Sequence, residues 1–313
     1  MRIVSAADVD ATLTFPALID ALAGAFCGNI QAPPRHHHTK PNDSASDQTL
    51  LLMPAWDERY ITTKLVCVTP DNGARALPAV MASVIVMNAE TGAQIAMIDG
   101  ARVTLWRTAC ASALAARYLA RQDAENLLIV GAGALAPFLV KAHCAVRNYK
   151  RISIWNRNSA NAEAVAKLLA DEGINADVSD DLSAATAAAD TISSATLSTV
   201  PLIKGADLRP GTHLDLVGAF TPLMRETDDA CVQRASLFVD TFAGALSEGG
   251  DLVQPIKSGL ISRDDVRAEL SMLTKGDHGG RRAEDEITLF KSTGASLEDF
   301  AAAALICDRL GLA

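Results

Sequence analysis

Three cations stand where their surroundings disfavour them. Lys64 lies inside the apolar run YITTKLVCV, Arg107 inside TLWRTACASA, and Arg35 ends the segment PPR ahead of three histidines. Alternation along a strand puts Lys64 on one face with Thr62 and Val66, lining a cavity or a sheet face. Arg107 is expected near the N-terminus of a helix, where a cation gains nothing from the helix dipole. A residue set against its local preference is a candidate functional residue. Two guanidinium groups suit a carboxylate, and an ammonium can orient a substrate or serve as an acid. Arg35, Lys64 and Arg107 are therefore the candidate catalytic residues; the plain alternative is three unrelated surface cations.

A second constellation is Gly131-Ala-Gly133-Ala-Leu-Ala136, which follows the apolar run NLLIV and opens a helical segment. This is the G-x-G-x-x-A form of the dinucleotide fingerprint. Gly131 permits the tight turn, Gly133 has no Cβ to obstruct a pyrophosphate, and Ala136 lets the helix pack close to the strand. The helix start then offers free N–H groups and partial positive charge to phosphate. Pro137 fits there, where a missing N–H costs little. An NAD site carries Asp or Glu at the end of the following strand to hold the ribose 2′-hydroxyl. Here that strand ends in Asn156-Arg157-Asn158. Asn156 can bond to ribose without repelling phosphate, and Arg157 can pair with a 2′-phosphate. NADP(H) is the expected cofactor, with NAD(H) as the alternative; the plain reading of Arg157 is a solvated strand-end side chain.

Other chemistries find little support. In an extended strand, His36, His37 and His38 point to alternating faces and cannot converge on one ion, and no carboxylates or thiolates complete a zinc set. No metal is expected, and the histidines read as a polar loop. No G-x-S-x-G segment supports a hydrolase. The six cysteines are scattered without a C-x-x-C, as in a reduced cytoplasmic protein. With 28 Lys+Arg against 37 Asp+Glu, the net charge is -9, and no basic block favours nucleic acid. No run of about 18 apolar residues is present, and the opening MRIVSAADVDATLTF carries acids where a signal peptide needs an apolar core. The expectation is a cytoplasmic protein with no membrane and no nucleic-acid partner.

The elements that must position these residues fall into two textures. Of 313 residues, 49% are hydrophobic and 4% aromatic, so the core is aliphatic; the length suggests roughly two domains. Helical spacing from Phe15 to Phe26 is followed by a polar, Pro-rich break from Gln31 to Gln48, read as loop or strand edge. Between Leu50 and Ile98, short β-branched runs bounded by turn residues predict antiparallel strands, with a hairpin turn at Asn88–Gly92. An alanine-rich helix is expected over Thr104–Ala120. Beyond Asp123 strands and helices alternate, which predicts an α/β, doubly wound parallel sheet. The last helix, Leu297–Leu310, is alanine-rich again and is a candidate to return to the first domain.

Taken together, PPR (33–35), LLMPAW (51–56), KLV (64–66), TLWRTACASALAARYLA (104–120), VGAG (130–133), ADTISSAT (189–196), HLDLVGAFTPLMRETD (213–228) and GRRAEDEITLFKSTGASLEDF (280–300) resemble the ornithine cyclodeaminase/mu-crystallin family over essentially the whole chain. The resemblance implies an α+β substrate-binding and dimerisation domain (1–118 with 294–313), a Rossmann domain (119–293) and a homodimer. It implies that Arg35, Lys64 and Arg107 bind the amino-acid portion of a substrate. Gly131, Gly133, Ala134 and Leu135 match the pyrophosphate turn, Asn156 and Arg157 the ribose end, and Thr196, Val217 and Ser292 positions near the nicotinamide or its ribose. Met53 and Phe220 are implied as pocket walls. One departure bears on the reaction: the cyclodeaminases carry an Asp where Phe220 stands, and a Lys where Met224 stands. The VGAFTPLMRETD version resembles the branch reducing cyclic imines, Δ1-pyrroline-2-carboxylate to L-proline, with Δ1-piperideine-2-carboxylate to L-pipecolate as a further substrate. The competing expectations are an ornithine cyclodeaminase or alanine dehydrogenase of the same family, or a non-catalytic NADPH-binding protein.

Overall fold

The computed structural model describes residues 1–42 and 46–312; positions 43–45 of the polar break lie outside the described residues. In chain order the elements are β1 (Arg2–Val4), α1 (Ala6–Thr12), α2 (Phe15–Cys27), β2 (His36–Lys40), β3 (Gln48–Trp56), β4 (Tyr60–Val68), β5 (Val80–Asn88), β6 (Gln94–Asp99) and α3 (Gly100–Leu119). They continue with β7 (Asn126–Val130), α4 (Ala136–Cys144), β8 (Arg151–Trp155), α5 (Ser159–Asp171), β9 (Asp177–Val178), α6 (Leu182–Ala188), β10 (Thr191–Ser194) and β11 (His213–Leu216). The remainder is α7 (Asp229–Arg234), β12 (Ser236–Val239), α8 (Phe242–Glu248), α9 (Gly250–Lys257), β13 (Val266–Glu269), α10 (Leu270–Lys275), β14 (Thr288–Lys291) and α11 (Ser296–Arg309). Two compact units result, Met1–Arg107 with Ala295–Ala313, and Thr108–Gly294. The division falls inside α3, about three turns before the boundary at 118 that the resemblance implies; α3 runs on without a break.

The first unit is built on a six-stranded sheet ordered β1-β6-β5-β4-β3-β2. Its strands pair antiparallel apart from β1, which runs parallel to β6. The β5–β6 hairpin turns on Asn88, whose side-chain oxygen accepts from the amides of Glu90 and Thr91, and on Gly92 at φ 72°. His36–Lys40 is an edge strand, the strand-edge alternative for this polar break, and the three histidines therefore lie on a strand and not in a polar loop; β3 supplies the partner on one side, and the exposed position tolerates polar side chains on both faces. One face of the sheet is closed by α11, which packs on β3, β4 and α2. On β4 that face carries Tyr60, Thr62, Lys64 and Val66, all buried. Gly100 starts α3, where a Cβ would come within 2.7 Å of the Ala82–Ser83 backbone. Arg107 therefore lies two turns into the helix and not near its start. From Trp106 to Ala116 α3 is buried all round, which explains its run of small side chains.

The second unit carries an eight-stranded sheet ordered β13-β12-β14-β11-β10-β7-β8-β9. Every pair is parallel. The chain steps from β7 outward to β9, then returns to place β10 on the other side of β7. That reversal opens a crevice at the carboxyl ends of β7 and β10. Strands β13 and β14 have no counterpart in the sequence reading; each is only four residues long and sits in charged surroundings. β11 stops at Leu216, sooner than the run HLDLVGAF suggests. Among the described residues no single helix is long and apolar enough to cross a membrane.

Candidate active site

In the first unit, Lys64 and Arg107 converge on one helix turn of α11. Lys64 is 2% exposed, and its ammonium lies 2.8 and 2.7 Å from the two carboxylate oxygens of Asp299. Thr104 Oγ1 stands 3.5 Å from the same nitrogen. Arg107 donates through Nε to Asp299 Oδ1 at 3.1 Å and through Nη1 to Glu298 Oε2 at 2.7 Å. Both carboxylates are essentially inaccessible. Burial lowers the Lys64 pKa from its ordinary 10.5 to about 8; Asp299 opposes the shift, while Arg107 and Arg35 add to it. Arg35 is thus near enough for its charge to act on Lys64. Met53 is paired with Lys64 across the β3–β4 ladder and is 3% exposed, so it walls the same face.

In the second unit, the expected cofactor residues lie along one edge of the sheet. The glycine turn follows β7, Asn156 and Arg157 follow β8, Thr196 follows β10, Val217 follows β11 and Ser292 follows β14. These five strands are neighbours in the sheet, and all the residues stand at carboxyl ends, where open parallel sheets bind ligands. Gly131 has φ 105°, and a Cβ there would meet the Ala195 carbonyl oxygen at 2.6 Å. At Gly133 a Cβ would find open space, and Gly133 and Ala134 are exposed, with Leu135 partly so. Helix α4 has Leu135 as its N-cap, with no side-chain cap bond, so its first amides can serve an anion. Asn156 accepts from the Ala132 amide at 3.3 Å and donates to the Asn158 carbonyl at 2.9 Å, which braces the turn. Arg157 is exposed. A dinucleotide phosphate fits this cradle. Under α4, buried His143 meets buried Asp215 of β11 at 3.3 Å.

Two buried acids shape the strand-end loops. Glu226 Oε1 accepts from Ser194 Oγ at 2.6 Å and from the amide and hydroxyl of Thr196 at 2.8 and 3.0 Å. Its Oε2 accepts from the Gly218 and Ala219 amides at 2.8 and 3.1 Å. A Cβ on Gly218 would come within 2.1 Å of the Thr196 carbonyl oxygen, so the two loops touch. Burial pushes the Glu226 pKa up, with Lys291 opposing. Lys291 itself lies 3.2 Å from Asp251. Asp240 Oδ2 accepts from Ser292 Oγ at 3.0 Å and from the Thr293 and Gly294 amides at 2.7 Å each.

Arg35, Lys64, Arg107 and Met53 therefore belong to one cluster, and Gly131, Gly133, Ala134, Leu135, Asn156, Arg157, Thr196, Val217 and Ser292 to another. Phe220 lies in the second unit, in the loop after β11, and is 41% exposed. Sequence reasoning missed Glu298, Asp299, Glu226, Lys291, Asp251 and Asp240. The available signal for the first two was a pair of adjacent acids opening an otherwise alanine-rich helix. Among the described residues no group of three His, Cys, Asp or Glu side chains is arranged to hold a metal ion.

A doubly wound parallel sheet with a glycine turn at its switch point defines a Rossmann-type dinucleotide-binding fold. The family model for the ornithine cyclodeaminase/mu-crystallin family matches residues 2–311, and the chain belongs to that family. It is 35% identical to the Δ1-pyrroline-2-carboxylate reductase of Colwellia psychrerythraea, over 99% of each chain. The solved Δ1-pyrroline-2-carboxylate reductase of Thermococcus litoralis, in complex with NADH and L-proline, superposes with a TM-score of 0.92 at 32% identity, covering 99% of this chain and 97% of that one. An archaeal alanine dehydrogenase dimer with bound NAD gives a TM-score of 0.91 at 28% identity, covering 99% and 95%.

Proposed function

We propose that the chain is an NADPH-dependent reductase of cyclic imine carboxylates, acting on Δ1-pyrroline-2-carboxylate to give L-proline and on the six-membered Δ1-piperideine-2-carboxylate in the same way. The observation that carries this reading is the convergence of two buried cations, Lys64 and Arg107, on one turn of α11, in the unit that also holds Arg35. Arg35 and Arg107 hold the substrate carboxylate and fix which face of the ring is presented. Lys64 orients the imine or hands a proton to its nitrogen. When bound, the reduced nicotinamide supplies the hydride that the C=N carbon receives. Phe220, which accepts neither a proton nor a hydrogen bond, favours this reaction over loss of an amine. The solved relative that holds NADH and proline supports the substrate class.

The preference for NADPH rests on the strand end after β8, which has Arg157 and no carboxylate before Asn158. The test is oxidation of NADPH and NADH with the five- and six-membered imines, with ornithine as control. The expected outcome is turnover with both imines, faster with NADPH, and no ammonia from ornithine. Arg157→Ala should weaken NADPH about tenfold, the scale of one charge-assisted hydrogen bond, and leave NADH unchanged. Ammonia release from ornithine, or no oxidation with either imine, refutes the reading.

The reading extends to a cytoplasmic homodimer. The second face of the six-stranded sheet is apolar, carrying Ile3, Leu50, Leu65 and Met81 among others, and Ile3 and Met81 are 68% and 52% exposed. A second copy of the chain is the occupant, as in the related alanine dehydrogenase dimer. Light scattering should give twice the chain mass, and Leu50→Asp with Met81→Asp should halve it; a monomeric unaltered protein removes the dimer.

A further inference from the structure

The cations of the first unit pose a problem that neither solves alone. Lys64 comes from the middle of a sheet and Arg107 from the middle of a helix, and two positive charges in a desolvated space repel. A single carboxylate oxygen, Asp299 Oδ1, accepts from both, at 2.8 Å from Lys64 Nζ and 3.1 Å from Arg107 Nε. Glu298 binds Arg107 through its other arm. An acid in the first turn of a helix ordinarily serves its own helix dipole. Asp299 is 1% exposed and its bonds run instead to β4 and α3.

We propose that Asp299 is the positioning residue of the site: it holds Lys64 beside Arg107 and fixes the ammonium in the orientation from which it serves the imine. A lysine ammonium has three hydrogens. Asp299 and Thr104 occupy two, which leaves one without a partner among the described residues. The charged groups acting on Lys64 are Asp299 from α11, Arg107 from α3 and Arg35 from the segment before β2. Asp299 is the one that favours the charged ammonium, so it sets both the place and the proton of Lys64.

The kinetic part of this inference rests on imine reduction being the reaction; the structural part does not. In Asp299→Asn the negative charge is lost with little change of shape. The expected result is a fall in kcat of about tenfold or more, the scale of a positioned acid group, with KM for NADPH unchanged. The alkaline limb of the kcat profile should move to lower pH, because Lys64 loses the neighbour that holds its proton. Asp299→Glu, which keeps the charge but shifts it by a methylene, should return the limb toward its original place and raise KM for the imine severalfold. If Asp299→Asn does not fold, Asp299→Glu decides, and a variant matching the unaltered enzyme overturns the proposal. Independently of turnover, nitrogen-15 NMR of the lysine side chains should show Lys64 titrating at lower pH in Asp299→Asn. Absence of imine turnover in the unaltered protein removes the proposed function, whereas an unmoved Lys64 titration removes this inference.

Discussion

The two units bury acidic side chains for opposite purposes. In the first, Asp299 and Glu298 face Lys64 and Arg107, so the partners are charges. In the second, Glu226 and Asp240 face mostly main-chain amides of the strand-end loops, and Asp190 accepts from the amides of Glu125 and Asn126. A carboxylate against a cation governs protonation and orientation of that cation. A carboxylate against amides governs the path of a loop, because each N–H it accepts fixes a stretch of backbone. The first unit is thus tuned electrostatically and the second geometrically. Changes in the first should appear in turnover and pH dependence, and changes in the second in cofactor binding and stability.

The largest effect expected from this contrast is at Lys64. Lys64→Met keeps a long unbranched side chain and removes the ammonium. Turnover with the imine should fall by about a hundredfold or more, on the scale of a lost acid or orienting group. NADPH binding, read by fluorescence titration, should be unchanged. A variant that binds NADPH poorly but turns over normally would break the contrast at its strongest point. Glu226→Ala tests the other side. It releases the Ser194 and Thr196 donors together with the Gly218 and Ala219 amides, and leaves Lys291 with Asp251 alone. Breaking a buried charged network of this kind costs about 3–5 kcal/mol, so the urea midpoint should drop clearly. KM for NADPH should rise more than kcat falls. An unaltered KM for NADPH in a folded Glu226→Ala protein would mean that the loops hold their shape without the clamp.

The parts of this design that were legible in the sequence are those encoded locally. The glycine turn could be read because an apolar strand precedes it and a helix follows, and each glycine has a separate steric reason. Lys64 and Arg107 could be singled out because a charge interrupts an apolar run. The helix starts at Gly100, so the helix dipole is not what makes Arg107 unusual; Glu298 and Asp299 hold it. The carboxylate partners were illegible because they lie at the other end of the chain and because acids opening a helix are ordinary. β14 was missed for a related reason. TLFK is short and sits in the charged stretch AEDEITLFKSTG, yet its Lys291 is fully buried, a placement that Glu226 and Asp251 explain. Pairings between distant segments leave no periodic trace, whereas turns and strand ends do.

The smallest expected effects are in stability against pH, where the two kinds of buried charge should act at opposite ends of the scale. Burial pushes Asp190 up, but the Glu125 and Asn126 amides, the Asn126 side chain and Arg121 outweigh it and hold its pKa below the ordinary 3.8. A carboxyl whose pKa is lowered by folding stabilises the fold above its unfolded pKa, and that contribution is lost as pH falls through the folded value. Asp190→Asn should therefore be less stable than the unaltered protein at neutral pH, and the difference between their urea midpoints should shrink as the pH is taken below about 4. Lys64 works in the other direction. Folding lowers its pKa from 10.5 to about 8, so below 8 both states hold the proton and the cost of burying the ammonium is present in full. Between those values the unfolded chain binds the extra proton, and stability attributable to this group rises with pH. Lys64→Met should be relatively most stabilised near neutrality and lose that advantage as the pH is raised. Parallel midpoint curves for Asp190→Asn and the unaltered protein at low pH, or for Lys64→Met at high pH, would show that the amide-bound acid and the acid-bound cation do not differ in the way their surroundings require.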